Sequence, residues 1–280
     1  MTPASVLSQW LDESGRVLIG AGAGLTAAAS FDYSDTAVFQ RLFPALAARG
    51  FSAQYQMIGQ PLPRPLLWGY WFTHVHHVRF ADHGPSSVYE QLQRMTRGKD
   101  RFVHTSNVDA LFTRNGFDSA RVHTPQGDYA LLQCTIPCTR QVWPVEPVMK
   151  LGLSSLDIST GEVTDPDALP SCPSCGSRAF LNVRVDASFI DDHLRPAGKA
   201  LASWLESGQD EPLLILEIGA GFSTPTVVRF PLERLARALP DARFVRINRD
   251  HPAIPAVLQS RGLSIGADIA SVLAEAAALT

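Results

Sequence analysis

Four stretches of the chain carry short apolar runs that stop abruptly at small or polar residues. They are Arg16-Val-Leu-Ile-Gly-Ala-Gly-Ala-Gly24, Arg101-Phe-Val-His-Thr-Ser-Asn107, Pro212-Leu-Leu-Ile-Leu-Glu-Ile-Gly-Ala-Gly221 and Arg243-Phe-Val-Arg-Ile-Asn248. Runs without polar alternation suit strands buried on both faces, as in a parallel sheet covered by helices. Helix-compatible segments lie among them, at Ser87 to Arg97, Leu232 to Leu239 and Ile269 to Leu279. The alternation predicts an α/β fold built on a Rossmann-like, doubly wound parallel sheet. Such sheets bind ligands beyond the carboxyl ends of their strands. Those ends here carry glycines, Ser106, Asn107, Asp109 and Asn248.

The alternation breaks twice. Residues 34–82 hold aromatic and apolar residues in a helical pattern interrupted by Pro61, Pro63 and Pro65, which predicts a helical insertion with a proline-rich bend. Residues 127–185 contain all four cysteines, and the polar stretch Asp157 to Ser171 reads as an irregular loop. The expected organisation is a Rossmann-like domain from residues 1–33, 83–126 and 186–280, with a smaller module made of the helical insertion and a zinc-binding insertion.

Composition narrows the class. At 280 residues, 45% apolar and 18% charged, the chain is ordinary globular material. A net charge of −3 argues against a nucleic-acid-coating protein. No run of eighteen apolar residues occurs, and Asp12 and Glu13 interrupt any signal-peptide core. The expectation is a soluble cytoplasmic protein with no membrane or nucleic-acid partner.

Cys134-x-x-x-Cys138 and Cys172-x-x-Cys175 are the entire cysteine content. Two close pairs point to one tetrahedral, structural zinc, since four thiolates leave no open position for water. Gly20-Ala-Gly-Ala-Gly24 and Gly219-Ala-Gly221 each follow a strand run, where glycines let a phosphate approach the backbone. Either turn alone is equally a ligand-free βα turn, but two in one sheet suit a dinucleotide crevice. His74, His76 and His77 read as part of a packed or solvated helix rather than a metal site, because i and i+2 do not share a face.

Taken in order, these motifs resemble the sirtuin family. Gly22-Ala-Gly-Leu-Thr26 is similar to its opening signature, and Ser106-Asn-Val-Asp109 to its Gln-Asn-hydrophobic-Asp segment. Gly219 to Ser223 and Ile247-Asn248 match its last two elements. The family's His-Gly is replaced by Gln126-Gly127, and Thr124-Pro-Gln-Gly-Asp-Tyr129 with Gln133-Cys134 resembles the macrodomain-linked class M sirtuins. Glu217-Ile-Gly-Ala-Gly-Phe-Ser-Thr-Pro225, Arg229-Phe-Pro231 and Arg246-Ile-Asn-Arg-Asp250 continue that likeness. Ser30 stands where a glycine is common.

The resemblance implies an NAD-dependent protein ADP-ribosyltransferase. It implies an acceptor protein, a lipoylated glycine-cleavage H-like carrier, and a macrodomain hydrolase that reverses the mark. NAD would be the co-substrate. Asp109 would hold the nicotinamide carboxamide and Asn107 the ribose and its water. Gly22, Ala23, Thr26, Gly219, Gly221 and Ser223 would serve the phosphates, and Ser106 would also contact the cofactor. Asn248 would meet the adenosine ribose, and Asp268 with Ile269 the adenine. Gln126 would orient a group by hydrogen bonding, since an amide cannot act as the base a deacylase needs. Two alternatives remain: a deacylase in which His104 or His123 supplies that base, and a non-catalytic NAD-sensing module.

Overall fold

The computed structural model describes residues 2–208 and 211–280. The chain divides into two compact units. One comprises Met1–Phe31, His83–Gln126 and His193–Thr280, the other Asp32–Asp82 and Gly127–Asp192.

The first unit holds a six-stranded parallel sheet in the order Gly262–Ile265, Arg243–Ile247, Leu213–Ile218, Arg16–Ala21, Asp100–Thr105, Val122–His123. All residues of the two central strands, Arg16–Ala21 and Leu213–Ile218, are buried. That is why their sequences run apolar without alternation. Side chains leave the sheet in both directions. Val17, Ile19, Tyr89, Leu92, Val103 and Leu273 pack on one face, and Leu18, Phe102, Trp204, Ile215, Leu232 and Phe244 on the other. The closing helix, Ile269–Leu279, starts where the Asp268 carboxylate accepts the Ser271 amide. Chain order reverses between the strands Arg16–Ala21 and Leu213–Ile218, whose carboxyl ends lie level, Ala21 opposite Ile218. This is the topological switch point, so the two glycine turns emerge side by side.

The second unit combines helices with a three-stranded antiparallel sheet ordered Trp143–Pro144, Gly127–Cys134, Ala179–Val183. Its longest helix, Arg64–Val75, continues into a π-helical turn at His76–Phe80. Two sequence expectations change here. Pro65 does not interrupt the helix but sits in its first turn, where no hydrogen-bonded N–H is required. The stretch expected as an irregular loop contains the Leu156–Asp157/Glu162–Val163 hairpin and a 3-10 turn at Pro166–Ala168. The Asp157 carboxylate takes the Ser159 amide and hydroxyl, and Gly161 adopts φ +75°, so the local turn chemistry closes the hairpin. His74 is buried in this unit. Its Nδ1 lies 2.6 Å from the Gln54 side-chain oxygen, amid Tyr33, Tyr70, Trp71 and Tyr129. No helix among the described residues is long and apolar enough to cross a membrane.

Candidate active site and metal centre

Gly22 and Gly24 follow the Arg16–Ala21 strand, and Gly219 follows Leu213–Ile218. The Gly22 amide donates to Ile218 O and the Gly24 amide to Gly219 O, both at 3.0 Å. A Cβ on Gly22 would stand 2.7 Å from the Ala220 Cα, and one on Gly24 2.7 Å from the Gly219 Cα. One on Gly219, whose φ is +64°, would stand 2.5 Å from the Leu25 nitrogen. These three glycines are therefore required by the packing of one turn on the other. Gly221 differs: a Cβ there would meet nothing within 4 Å.

Asn107 and Asp109 lie just past the end of the Asp100–Thr105 strand, and both are buried. The Asn107 amide donates to Gly22 O at 3.0 Å, fixing it against the first glycine turn. The Asp109 carboxylate accepts the Thr26 hydroxyl at 2.6 Å and the Leu111 amide at 2.9 Å. The next residue, Ala110, is held in the left-handed region at φ 56°. Such a conformation costs a residue with a Cβ about 1–2 kcal/mol and persists only where its surroundings impose it. Ser30 is likewise left-handed, at φ 73°, so the position where glycine is common does demand glycine-like backbone. The Tyr89 ring, fully buried, lies beside this pair. Burial first, and then the Asp109 charge, push its phenol well above the usual range.

The remaining sequence candidates are distributed around the same strand ends. Ser106 is half-buried, with its amide on Ala21 O. Gln126 is half-buried at the end of its segment, while Ala23 and Ser223 are exposed and Ile269 is buried. Three side chains have structural duties that their spacing did not foretell. Thr26 gives its proton to Asp109, Asp268 caps the last helix, and Asn248 ties two loops together. The Asn248 amide donates to Ala220 O, and its oxygen accepts the Asp250 and His251 amides.

His104 and His123 face one another on neighbouring strands, Nδ1 to Nδ1 at 3.0 Å. His104 Nε2 lies 2.7 Å from Val227 O, which can only accept. His104 therefore carries its proton on Nε2, and His123 donates from Nδ1 to the free His104 Nδ1. Burial holds both below the ordinary imidazole range, His123 at about 4. The remaining His123 nitrogen faces Gly198.

Sequence inspection missed the buried ion network of Glu217, Arg246, Arg229 and Glu233. Arg246 donates to both Glu217 oxygens at 2.6 and 2.8 Å and to Glu233 at 2.7 Å. A signal existed: the buried run Leu213–Ile218 carries Glu217 and the run Arg243–Ile247 carries Arg246 in its interior, and the register places the two directly opposite.

In the second unit the four cysteine sulfurs all lie within 4.8 Å of one another, with neighbouring pairs at 3.6 to 3.7 Å. A tetrahedral zinc with Zn–S bonds of about 2.3 Å places its sulfurs about 3.8 Å apart, so the quartet fits one zinc ion. No disulfide forms among them. Gly176, at φ 71°, turns the chain so that Cys172 and Cys175 converge. The Ser177 hydroxyl and amide bring Cys175 down to about 6, whereas hydrogen bonding to Cys175 pushes Cys138 up to about 12. Four thiolates can share so small a space only around a cation, which a metal ion would supply here. No histidine joins a metal-binding group among the described residues.

Comparison with known proteins agrees with this architecture. The chain superimposes on a Sir2 homologue in complex with NAD at a TM-score of 0.60 and 17% identity, covering 98% of this chain and 93% of that one. A variant Sir2 homologue in complex with ADP-ribose gives 0.61 and 18%, covering 98% and 94%. The fold is that of the Sir2 sirtuins. Among curated sequences, a probable bifunctional ADP-ribose hydrolase/ADP-ribosyltransferase of Fusarium oxysporum f. sp. cubense is 34% identical over 94% of this chain. A protein ADP-ribosyltransferase of Staphylococcus aureus is 26% identical over 98% of it. The chain spans 46% of the Fusarium protein's length and 86% of the staphylococcal one's. No protein-family model matches. The chain is thus sirtuin-like in fold and similar in sequence to proteins named ADP-ribosyltransferases.

Proposed function

We propose that this protein is a sirtuin-type, NAD-dependent protein ADP-ribosyltransferase. The observation that carries the reading is the fixed juxtaposition of Asn107 and Asp109 with the Gly22 to Thr26 turn at the switch point of the sheet. The names of the two curated relatives support the transferase activity, and the neighbours solved with NAD and ADP-ribose support the ligand. When bound, NAD supplies a ribose carbon that becomes electrophilic as nicotinamide departs. Asp109, held by Thr26, meets the carboxamide, and Asn107 orients the ribose and a water. Gly22, Ala23, Gly219, Gly221 and Ser223 frame the phosphates. Asn248 shapes the loop beside the adenosine ribose, and Asp268 and Ile269 border the adenine.

The two histidines either of which could supply a deacylase's base are engaged with each other. His104 has both nitrogens occupied, and the free His123 nitrogen faces a helix glycine, Gly198. With Gln126 at the His-Gly position, no titratable base stands there, and general-base catalysis is worth about two to four orders of magnitude. This favours transfer over deacylation. The acceptor is read as a lipoylated carrier protein of the glycine-cleavage H type, with a macrodomain hydrolase reversing the mark. The hydrolase–transferase name of the Fusarium relative supports that pairing. Incubation with labelled NAD, purified lipoylated carrier and acetylated peptide tests the proposal. Label on the carrier, lost in Asn107→Ala and reduced in Gln126→Ala, is expected. Acetyl-ADP-ribose that disappears in His123→Ala but persists in Gln126→Ala would replace it with the deacylase reading, and unconsumed NAD with a sensing module.

A further inference from the structure

Arg229 is almost completely buried, yet it spends its guanidinium on backbone carbonyls as well as on an acid. Its Nη1 donates to Ala220 O at 3.2 Å and to His251 O at 3.1 Å, and its Nη2 to His251 O and Ala253 O, both at 3.2 Å. It stands 3.8 Å from Glu217 and 3.9 Å from Glu233, which balance its charge. The Phe222 ring lies over it at 4.5 Å. One side chain thus fastens the turn after the Leu213–Ile218 strand to the loop after Arg243–Ile247.

The consequence lies in a single peptide plane. Ala220 O accepts from Arg229 and also from Asn248, at 3.0 Å, so this carbonyl is drawn inward by two donors. No cis peptide occurs among the described residues. Across a trans peptide the carbonyl and the following N–H point in opposite directions. The Gly221 N–H must therefore face away from Arg229, at the one glycine of the two turns beside which a Cβ would meet nothing within 4 Å. Glycine at 221 is thus not needed for packing, and its backbone lies open to approach.

The geometry points to Arg229 as a positioning residue that locks the Ala220–Gly221 peptide, so that the Gly221 N–H is a fixed donor to the phosphate or ribose oxygens of an ADP-ribosyl ligand. This rests on the proposed NAD-site reading and adds to it the device that orients the donor. A lysine cannot replace it, because a single ammonium does not span three carbonyls as a planar guanidinium fork does. The fixed donor acts on ligand binding rather than on departure of nicotinamide.

The test combines amide hydrogen exchange on the 15N-labelled full chain with calorimetric titration of ADP-ribose. In the wild type the Gly221 amide should exchange rapidly when free and at least tenfold more slowly with ADP-ribose. Arg229→Gln should weaken ADP-ribose about tenfold, the scale of one hydrogen bond, and abolish the protection at Gly221. KM for NAD should rise in parallel while kcat stays within about twofold, since uniform binding is what is lost. Arg229→Lys should recover only part of the affinity. Should Arg229→Gln not fold, Arg229→Lys decides, because it keeps the charge that Glu217 and Glu233 balance but not the fork over the three carbonyls. It should bind ADP-ribose more weakly than the wild type with reduced protection at Gly221, and wild-type affinity and protection in it would overturn the role. A wild type that binds ADP-ribose with Gly221 unprotected, or an Arg229→Gln protein with undiminished affinity, overturns the positioning role alone. A wild type that binds neither ADP-ribose nor NAD overturns the site reading and this role with it.

Discussion

Replacing Gly219 with alanine probes the crossing of the two glycine turns. The new Cβ would lie 2.5 Å from the Leu25 nitrogen and 2.7 Å from the Gly24 carbonyl carbon and Cα, where ordinary contact begins at 3.4 Å. All three are backbone atoms, so no side chain can swing aside, and the turns must part by about 1 Å to relieve the overlap. The φ of +64° adds the left-handed penalty, about 1–2 kcal/mol for a residue with a Cβ. Overpacking contributes about 1–3 kcal/mol, giving a loss of about 2–5 kcal/mol from a typical 5–15. For a chain of this size that corresponds to a fall in Tm of roughly 5–15 °C. Gly221→Ala is the internal control, because nothing lies within 4 Å of its Cβ, and its Tm should match the wild type. Thermal melts of both variants, with ADP-ribose titrations of each, make the comparison. Gly219→Ala should lose stability and affinity together, and Gly221→Ala affinity alone. A Gly219→Ala protein that melts with the wild type and binds as tightly would refute the packing argument.

Two further outcomes follow from the second unit. Purified protein should carry about one zinc per chain; Cys172→Ser should lower that content and expose the unit to protease, whereas zinc-free protein with four reactive thiols would remove the metal centre. Acid should destabilise the fold through His74, whose imidazole burial holds at about 3 against an ordinary 6.5. Below pH 6.5 the unfolded chain gains a proton that the folded chain refuses, so stability is full above that pH and declines as it falls toward 3. Between pH 6.5 and 5 His74 should account for about 2 kcal/mol of the loss in denaturant melts, so the slope should be smaller by that amount in His74→Gln. His104 and His123, also held down by burial, keep part of the acid sensitivity in both proteins; equal slopes for both proteins would count against it.

The apolar runs at Arg16, Arg101, Pro212 and Arg243 determined the parallel sheet, because strands buried on both faces leave no room for polar alternation. The two cysteine pairs likewise determined a cluster of four sulfurs, since short spacings converge two sulfurs without help from the rest of the chain. Asn107 and Asp109 were legible through their place at a strand end and their likeness to sirtuins. Their partners were not. That Thr26 gives its proton to Asp109, that His104 and His123 satisfy each other, and that Asp268 caps a helix are facts of who stands opposite whom. The hairpin at 156–163 escaped notice because its strands are two residues long and carry no periodicity. Arg229 shows the division most clearly. Locally it is a charge before Phe230 and Pro231 at the start of a helix. Only the neighbouring positions of the Leu213–Ile218 and Arg243–Ile247 strands bring Ala220, His251 and Ala253 within reach of its guanidinium. Periodicity and turn chemistry are written locally, but hydrogen-bond partners separated by tens of residues are set by strand order and register, which the tertiary structure alone decides.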